Sequence, residues 1–423
     1  MTNKKLKVSN VPNLRFPGFE GEWETKKLEE IGEIVTGSTP PTNNRSYYEG
    51  EYLFVSPVDI QTNRYIEVSK TTLTEKGFKK GRKIKKGSSL FVCIGSTIGK
   101  VGQANRDCIT NQQINSIVTL ENNEDFLFSL LEFYSPKIKA LSAEQAVPII
   151  NKTTFSNVQV NIPELPEQKK IASFLSLIDE RIVTQNKIIK ELKSSKHSFI
   201  KKIFTRELRF RDNNDKYYPE WHEKRMKDLF TFKVTNSFSR EKLNYENGTV
   251  KNIHYGDIHT KFQTLFDIKK EIVPYINSNI NITKISEDSY CKEGDMIFAD
   301  ASEDLNDVGK SIEIINLNNQ RILAGLHTIL ARPISNIFSI GFCGYLFKSQ
   351  KVRAQIQKES QGSKVLSISV NRLANLSLSI PCLEEQIKIA NLFSSMDLKL
   401  NTEKQILQEL EKQKKFLLQQ MFV

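Results

Sequence analysis

NIPELPEQKKIASFLSLIDERI (161–182) and SIPCLEEQIKIANLFSSMDLKL (379–400) are one helix start written twice in the same chain. From Ile162/Ile380 to Phe204/Phe422 the two stretches align without a gap at a constant offset of 218, and 16 of 43 positions are identical. The coincidences include Glu167-Gln168/Glu385-Gln386, Lys170-Ile171-Ala172/Lys388-Ile389-Ala390, Asp179/Asp397 and Glu191-Leu192/Glu409-Leu410. Internal repetition on this scale governs every other reading of the chain.

Each copy has the signs of a helix entry. Pro163 and Pro381 follow strand-like runs, and proline is tolerated in a first turn but not inside a helix. Glu167, or Glu384-Glu385, places negative charge where the helix dipole favours it. No Pro or Gly follows until past Phe204, which predicts a helix of nearly 40 residues, about 55–60 Å long at 1.5 Å per residue. Its apolar stripe runs through Ile171, Leu175, Ile178, Ile182, Ile189, Leu192, Phe199 and Ile203. The second copy repeats it with Ile389, Phe393, Met396, Leu400, Leu407, Leu410, Leu417 and Met421. The spacing is close to 3.5 with Gln185/Glu403 as a polar break, so a coiled coil is expected, each helix being the other's natural partner. A helical hairpin inside one domain is the plainer alternative, but two helices this long suit a spacer that holds globular parts apart.

Upstream of each helix a weaker match appears at an offset of 198, pairing Trp23 with Trp221, Tyr47 with Tyr245, Gly50 with Gly248 and Asp59-Ile60 with Asp257-Ile258. The offset then drifts to 210 at Gly99-Lys100/Gly309-Lys310, as insertions in loops would make it. Short β-rich runs (YLFVSPVDI, SLFVCIGS, INSIVTL) with one or two helices, near 124–141 and 340–357, describe an α+β unit. The expected architecture is therefore α+β with an internal pseudo-twofold repeat. It comprises a globular domain over 1–163, a spacer helix over 164–207, a second globular domain over 208–381 and a second spacer helix over 382–423.

The 423 residues are 39% hydrophobic and 26% charged, which fits a soluble globular chain. The longest apolar run, IFSIGFCGYLF (337–347), is too short to span a bilayer, and MTNKKLKVSN has no apolar segment behind its basic start. Five scattered cysteines without paired spacing suggest a reducing cytoplasm. A net charge of +12 nominates an anionic partner, nucleic acid first, although a lysine-rich soluble surface would give the same sum.

The candidate nucleic-acid contacts lie in loops that recur in both halves. The basic run KGFKKGRKIKK (76–86) suits phosphates, with Lys79, Lys80, Arg82 and Lys83 foremost. Amide, hydroxyl and guanidinium groups that can read base edges come from Thr39, Asn43, Asn44, Arg45, Tyr47, Ser96, Thr97, Lys100, Asn111, Gln112 and Gln113. The second half offers Ser237, Ser239, Arg240, Lys242, Asn244, Tyr245, His254, Tyr255, Lys310, His327 and Thr328. Each such loop taken alone is more ordinarily a solvated turn. Their recurrence at equivalent places is the stronger sign.

No catalytic constellation accompanies them. GSTIGKVG (95–102) has the wrong glycine spacing and Val101 where a phosphate loop needs Ser or Thr. No cofactor-binding glycine turn and no Asn-Pro-Pro-aromatic tetrapeptide occur, and His254 and His259 lack a third metal ligand nearby. The sequence reads as a binding protein, with a protein-interaction scaffold or a self-contained nuclease or methylase as the other readings.

The layout resembles the specificity subunit of Type I restriction–modification enzymes. The resemblance rests on the doubled Ile-Pro-x-x-x-Glu-Gln-x-Lys-Ile-Ala with its long helix, and on the Phe-to-Trp openings at Phe16–Trp23 and Phe210–Trp221. TGSTP…YYEGEYLFVSPVDI and NYENGTVKNIHYGDI add to it. Departures are Tyr48, where the family often has Trp, and the thinned entry Pro381-Cys-Leu-Glu. The resemblance implies two target-recognition domains, each reading half of a split DNA site, with the helices setting the gap. It also implies docking of two methyltransferase subunits, which bring S-adenosylmethionine, and of motor/nuclease subunits, which use ATP and magnesium. The chain itself would hold no cofactor, no metal and no catalytic residue, and would work in the bacterial cytoplasm.

Overall fold

A computed structural model describes residues 10–61, 63–119, 121–142 and 148–423. The basic N-terminal stretch therefore lies, up to residue 9, outside the described residues. The chain divides into two compact units, residues 1–188 with 403–423, and residues 189–402.

The expected helices run over Leu165–Phe204 and Leu383–Met421, 40 and 39 residues long. The compact units do not break at the ends of these helices. Each takes the start of its own helix and the end of the other copy's helix, because the apolar stripe has two surfaces to cover. In the first unit Ile171, Leu175, Ile178 and Ile182 join one core with Trp23, Phe126 and Phe155, and Leu417, Met421 and Phe422 of the second helix enter the same core. In the second, Ile389 and Phe393 pack with Phe342 and Tyr345, and Ile203 and Phe204 come from the first helix. Trp23 meets Phe422 edge-on at 6.0 Å, and Trp221 meets Phe204 in the same way at 6.0 Å. Phe204 and Phe422 are equivalent in the repeat, so each tryptophan packs on the helix of the other copy.

The stripe read from sequence is thus only partly a helix-to-helix seam. Phe199 departs from it outright, being 38% exposed, while Leu192, Met396 and Leu410 are only half-buried. Near their ends the helices turn the stripe toward the globular cores, and Ile203 and Phe204 take the buried places there.

Each globular part has one five-stranded and one four-stranded sheet. In the first unit a five-stranded sheet runs in the order Glu33–Thr36, Ile114–Val118, Ser89–Val92, Val101–Ala104 and Tyr65–Ile66. A four-stranded sheet has the order Thr71–Leu73, Tyr48–Val55, Cys108–Thr110 and Lys83–Ile84. The second unit repeats the five-stranded sheet as Phe230–Lys233, Thr328–Pro333, Met296–Ala299, Ser311–Asn316 and Leu265–Asp267. Its four-stranded sheet runs Leu243–Asn244, Tyr275–Ile276, Val250–Ile253 and Arg321–Ala324. The last three match the first three strands of the first unit, Leu243–Asn244 is added at one edge, and the place of Lys83–Ile84 at the other is held by the single bridge Tyr290 to Leu323. Even the parallel pairings recur, Leu53 beside Cys108 and Val250 beside Arg321, Tyr65 beside Gln103 and Leu265 beside Glu313. A two-stranded ribbon, Glu24–Lys27 with Gln159–Ile162 or His222–Arg225 with Ser377–Ile380, delivers the chain to each long helix.

The doubled Glu-Gln explains how each helix start is fixed. Glu167 is a buried anchor rather than a charge offered to the helix dipole: its two oxygens accept from Arg15 at 2.8 and 2.7 Å. Glu385 accepts the indole N–H of Trp221 at 2.9 Å and lies 3.5 Å from Arg209. Gln168 accepts from the Asn123 backbone and donates to the Pro163 carbonyl; Gln386 does the same with Ser339 and Pro381. An Arg-Phe pair, Arg15-Phe16 and Arg209-Phe210, precedes each tryptophan and was the signal for these anchors.

All five cysteines are free thiols. Among the described residues no helix is long and apolar enough to cross a membrane.

Candidate nucleic-acid interface

Four segments meet in the first unit. Gly37 and Ser38 donate to the carbonyls of Ile114 and Thr110, which lays the 37–47 loop against the strand junction at 111–113. There the Thr39 hydroxyl donates to Gln112 at 2.6 Å, and Asn111 donates to Gln113 at 2.9 Å. Arg82 joins them, its backbone N–H bonding to Ser38 and its guanidinium to the Thr36 carbonyl at 2.9 Å. Asn43, Asn44 and Arg45 stand exposed on the same loop, with Asn44 capping the turn at Ser46, and Tyr47 is half-buried beneath them. The neighbouring 93–97 loop joins through the Cys93 N–H, which donates to the Gln113 carbonyl, and it leaves Ser96 exposed and Thr97 half-buried. Thr39, Arg82, Asn111, Gln112 and Gln113, with the loops that carry Asn43–Tyr47 and Ser96–Thr97, thus converge on one strand junction.

The basic run is less free than its composition suggests. Its start forms the short helix Glu75–Phe78, and Lys83–Ile84 is the edge strand of the four-stranded sheet. Arg82, Lys83 and Lys85 line a cleft with Glu29, Glu30, Glu33 and Glu121, and Lys79 pairs with Glu75 at 2.5 Å. Those four glutamates come from elsewhere in the chain and partly compensate the cations. Lys80 stands exposed.

Lys100 and Lys310 have an architectural task in both halves. Each follows a glycine in the left-handed region, Gly99 (φ 94°) and Gly309 (φ 63°), which a side chain would strain. The turn aims the ammonium back at the Asp-Ile segment of the repeat, where Lys100 donates to the Ile60 carbonyl at 3.2 Å and Lys310 to the His259 carbonyl at 2.7 Å.

In the second unit the candidates gather around Tyr255. Its ring lies 4.7 Å from His254, 6.0 Å from His259 and 5.3 Å from His327. His327 holds a left-handed backbone (φ 52°), uncommon for a residue with a side chain and frequent where strain serves a site. Its Nδ1 lies 3.3 Å from Asp300, whose carboxyl burial pushes above its ordinary value despite the imidazole. Beside them Arg240 grips Asp257 with two bonds, 2.7 and 2.9 Å, and Lys261 adds a third at 3.0 Å. Burial alone would raise the Asp257 carboxyl, but Arg240 and Lys261 outweigh it and hold it below the usual range. Arg240 and Lys261 both donate to the Tyr245 hydroxyl, at 3.4 and 3.1 Å, and the Tyr245 ring is half exposed. Burial and the Arg240 charge push the His254 imidazole below its ordinary pKa, so it is neutral near pH 7 and its Nδ1 accepts from the Gly256 N–H.

Other candidates serve turns. Asn244 caps Glu246 and Asn247, Ser239 begins the turn Arg240–Lys242, and Thr328 donates to the Gly325 carbonyl. Ser237 and Lys242 are exposed. Sequence reasoning passed over Asp257, Lys261 and Asp300 and set His259 aside as a turn residue. The repeated Asp-Ile pair was the one signal that could have found Asp257.

The frame is a duplicated α+β protein built on paired long helices, with polar loops at the same strand junction in each copy. Residues 20–194 and 218–412 each match the family described as Type I restriction modification DNA specificity domain, and the chain belongs to that family. It is 28% identical over 243 residues to the Type I restriction enzyme MjaIX specificity subunit of Methanocaldococcus jannaschii, an alignment covering 54% of this chain and 56% of that relative. The MjaVIII specificity subunit of the same organism is 24% identical over 433 residues, covering 97% of this chain and 94% of the relative. The crystal structure of a Type-I restriction-modification system S subunit from M. genitalium shares the fold, with a TM-score of 0.59 at 14% identity, covering 98% of this chain and 99% of that one. A chain from a study of complex assembly and conformational transition in the type I R-M system has a TM-score of 0.56 at 17% identity, covering 96% and 97%.

Proposed function

We propose that this chain is the DNA-reading subunit of a Type I restriction–modification complex, non-catalytic by itself. Each globular part reads one half of a split site, the paired helices set the unread gap, and their outward faces dock two methyltransferase subunits. The methyl donor belongs to those subunits, and ATP and magnesium to motor/nuclease subunits that join the complex in the bacterial cytoplasm. The observation that carries this reading is that one frame presents different side chains at the same junction. Asn111-Gln112-Gln113 follows the strand Cys108–Thr110, and Gly325-Leu326-His327 follows Arg321–Ala324. Amides can form bidentate pairs with adenine edges, and an imidazole makes a single directed bond, so the two loops suit two different words. Cations such as Lys80 and Arg45 would supply sequence-independent phosphate contacts.

The test is enrichment from randomised duplexes by the chain reconstituted with its methyltransferase subunit. A split motif with a fixed gap is expected. Enrichment of no motif, or of one continuous motif, would sink the reading, as would methylation or cleavage of DNA by the lone chain.

A further inference from the structure

Asp179 and Asp397 hold the same place in the two copies of the helix, and so do Lys196 and Lys414. Each aspartate meets the lysine of the other helix: Lys414 lies 2.6 Å from Asp179, and Lys196 pairs with Asp397. Seventeen residues separate Asp179 from Lys196, and seventeen separate Asp397 from Lys414. One antiparallel register therefore satisfies both pairs, and a slip of either helix breaks both together.

Each aspartate also has a partner in the globular part it serves. Arg64, only 5% exposed, donates to Asp179 at 3.0 Å and to Gln103 at 2.7 Å, and pairs with Asp125 at the start of the helix Glu124–Lys139. The fully buried Tyr345, in the short helix Phe342–Leu346, donates its hydroxyl to Asp397 at 2.7 Å. The two lysines stand over aromatic rings of the same globular parts, Lys414 over Phe128 at 5.2 Å and Lys196 over Tyr345 at 5.1 Å. Each aspartate is thus a three-way joint of own helix, opposite helix and globular part.

The apolar seam cannot do this work alone. Ile and Leu at near-heptad spacing mesh again after a slide of seven residues, whereas a buried polar pair specifies one register. Such a slide moves one helix about 10 Å along the other, close to the rise of three base pairs of B-DNA at about 3.4 Å each. The buried Asp179 would lose Lys414, and the half-buried Asp397 would lose Lys196, which adds to the resistance of the helix ends held in the cores.

We propose that Asp179 and Asp397 are positioning residues that determine which gap between half-sites is accepted. They act by locking the helix register and the seat of each globular part. This rests on the reading above, in which the helices set that gap.

The test uses the chain reconstituted with its methyltransferase subunit. Duplexes carry the two half-words enriched by the wild type, with the gap shortened or lengthened by one to three base pairs. The variants are D179N, D397N and the exchange K196D/D397K, with K196M standing in should D397N not fold. The exchange restores an opposite pair in the second unit, where the other partner is a neutral tyrosine. In the first unit Arg64 would face the new lysine, so no exchange is made there. The expected result is that the wild type accepts one gap, the asparagine or methionine variants bind at least one neighbouring gap within tenfold of their best, and the exchange returns to one gap. Unchanged half-words throughout separate this effect from loss of recognition. Folded variants with the gap preference of the wild type would overturn the inference while leaving the proposed function standing. A wild type that selects no split motif would overturn both.

Discussion

Gln185 donates its side-chain amide to the backbone carbonyl of Glu403 at 2.9 Å and to its carboxylate at 2.5 Å. Glu403 is the residue that occupies the place of Gln185 in the second copy of the repeat. Two positions equivalent by the repeat therefore touch each other, which antiparallel helices allow at one point only. The polar break in the apolar pattern is that crossing point. Removing the carboxylate in E403A should cost about 1 kcal/mol, a typical net hydrogen bond, because Gln185 keeps its bond to the backbone. Replacing both with leucine should be near neutral in urea unfolding; a loss as large as the single variant's would show the amide to be more than a polar seam partner.

The two anchor arginines should differ in weight. Arg15 makes both bonds to Glu167, whose side chain is 3% exposed. R15M would strand a buried carboxylate at a cost of about 3 kcal/mol. Glu385 keeps the Trp221 N–H at 2.9 Å when Arg209 is removed, so R209M should cost only about 1–2 kcal/mol. Equal losses in chemical denaturation would contradict the assignment of Trp221 as the second partner.

Stability should fall as pH rises toward neutrality on account of Glu313. Its oxygens accept the Gly341 and Gly344 N–H groups, each at 2.6 Å, and burial pushes its carboxyl up from 4.5 to about 7. Between those values the folded chain holds a proton that the unfolded chain has released, so the contribution is present at low pH and lost as pH climbs. The loss should approach about 3 kcal/mol. Comparing wild type with E313Q at pH 5 and 7.5 isolates it, since Gln103 fills the equivalent place in the first unit. The window stays below the titration of Lys348, which burial pushes down to about 8. Parallel pH profiles would refute the shift.

On DNA, H327A should relax the second half-word at a cost of about 1–3 kcal/mol and leave the first intact, with Q112A doing the reverse. K80A should leave both words unchanged and reduce the salt slope by about 0.9 if Lys80 meets a phosphate. Titration of the reconstituted complex at several salt concentrations reads both effects, and neutrality of all three variants would move the interface elsewhere.

The sequence by itself determined the duplication, the extent of both long helices, the α+β character of the units and the loops that recur at matching strand junctions. Those properties are periodic or local, so a repeat offset, a proline entry or an alternating strand displays them directly. Only the tertiary structure decided which charges are anchors. Glu167 sits 152 positions from Arg15, Asp257 is claimed by Arg240 and Lys261, and Lys100 and Lys310 are spent on backbone carbonyls. It also decided that each tryptophan packs on the other copy's helix and that part of the basic run faces a glutamate-lined cleft. Periodicity tells a residue which face it lies on. What a charge does there depends on neighbours a few ångströms away in space, and chain separation carries no measure of that distance.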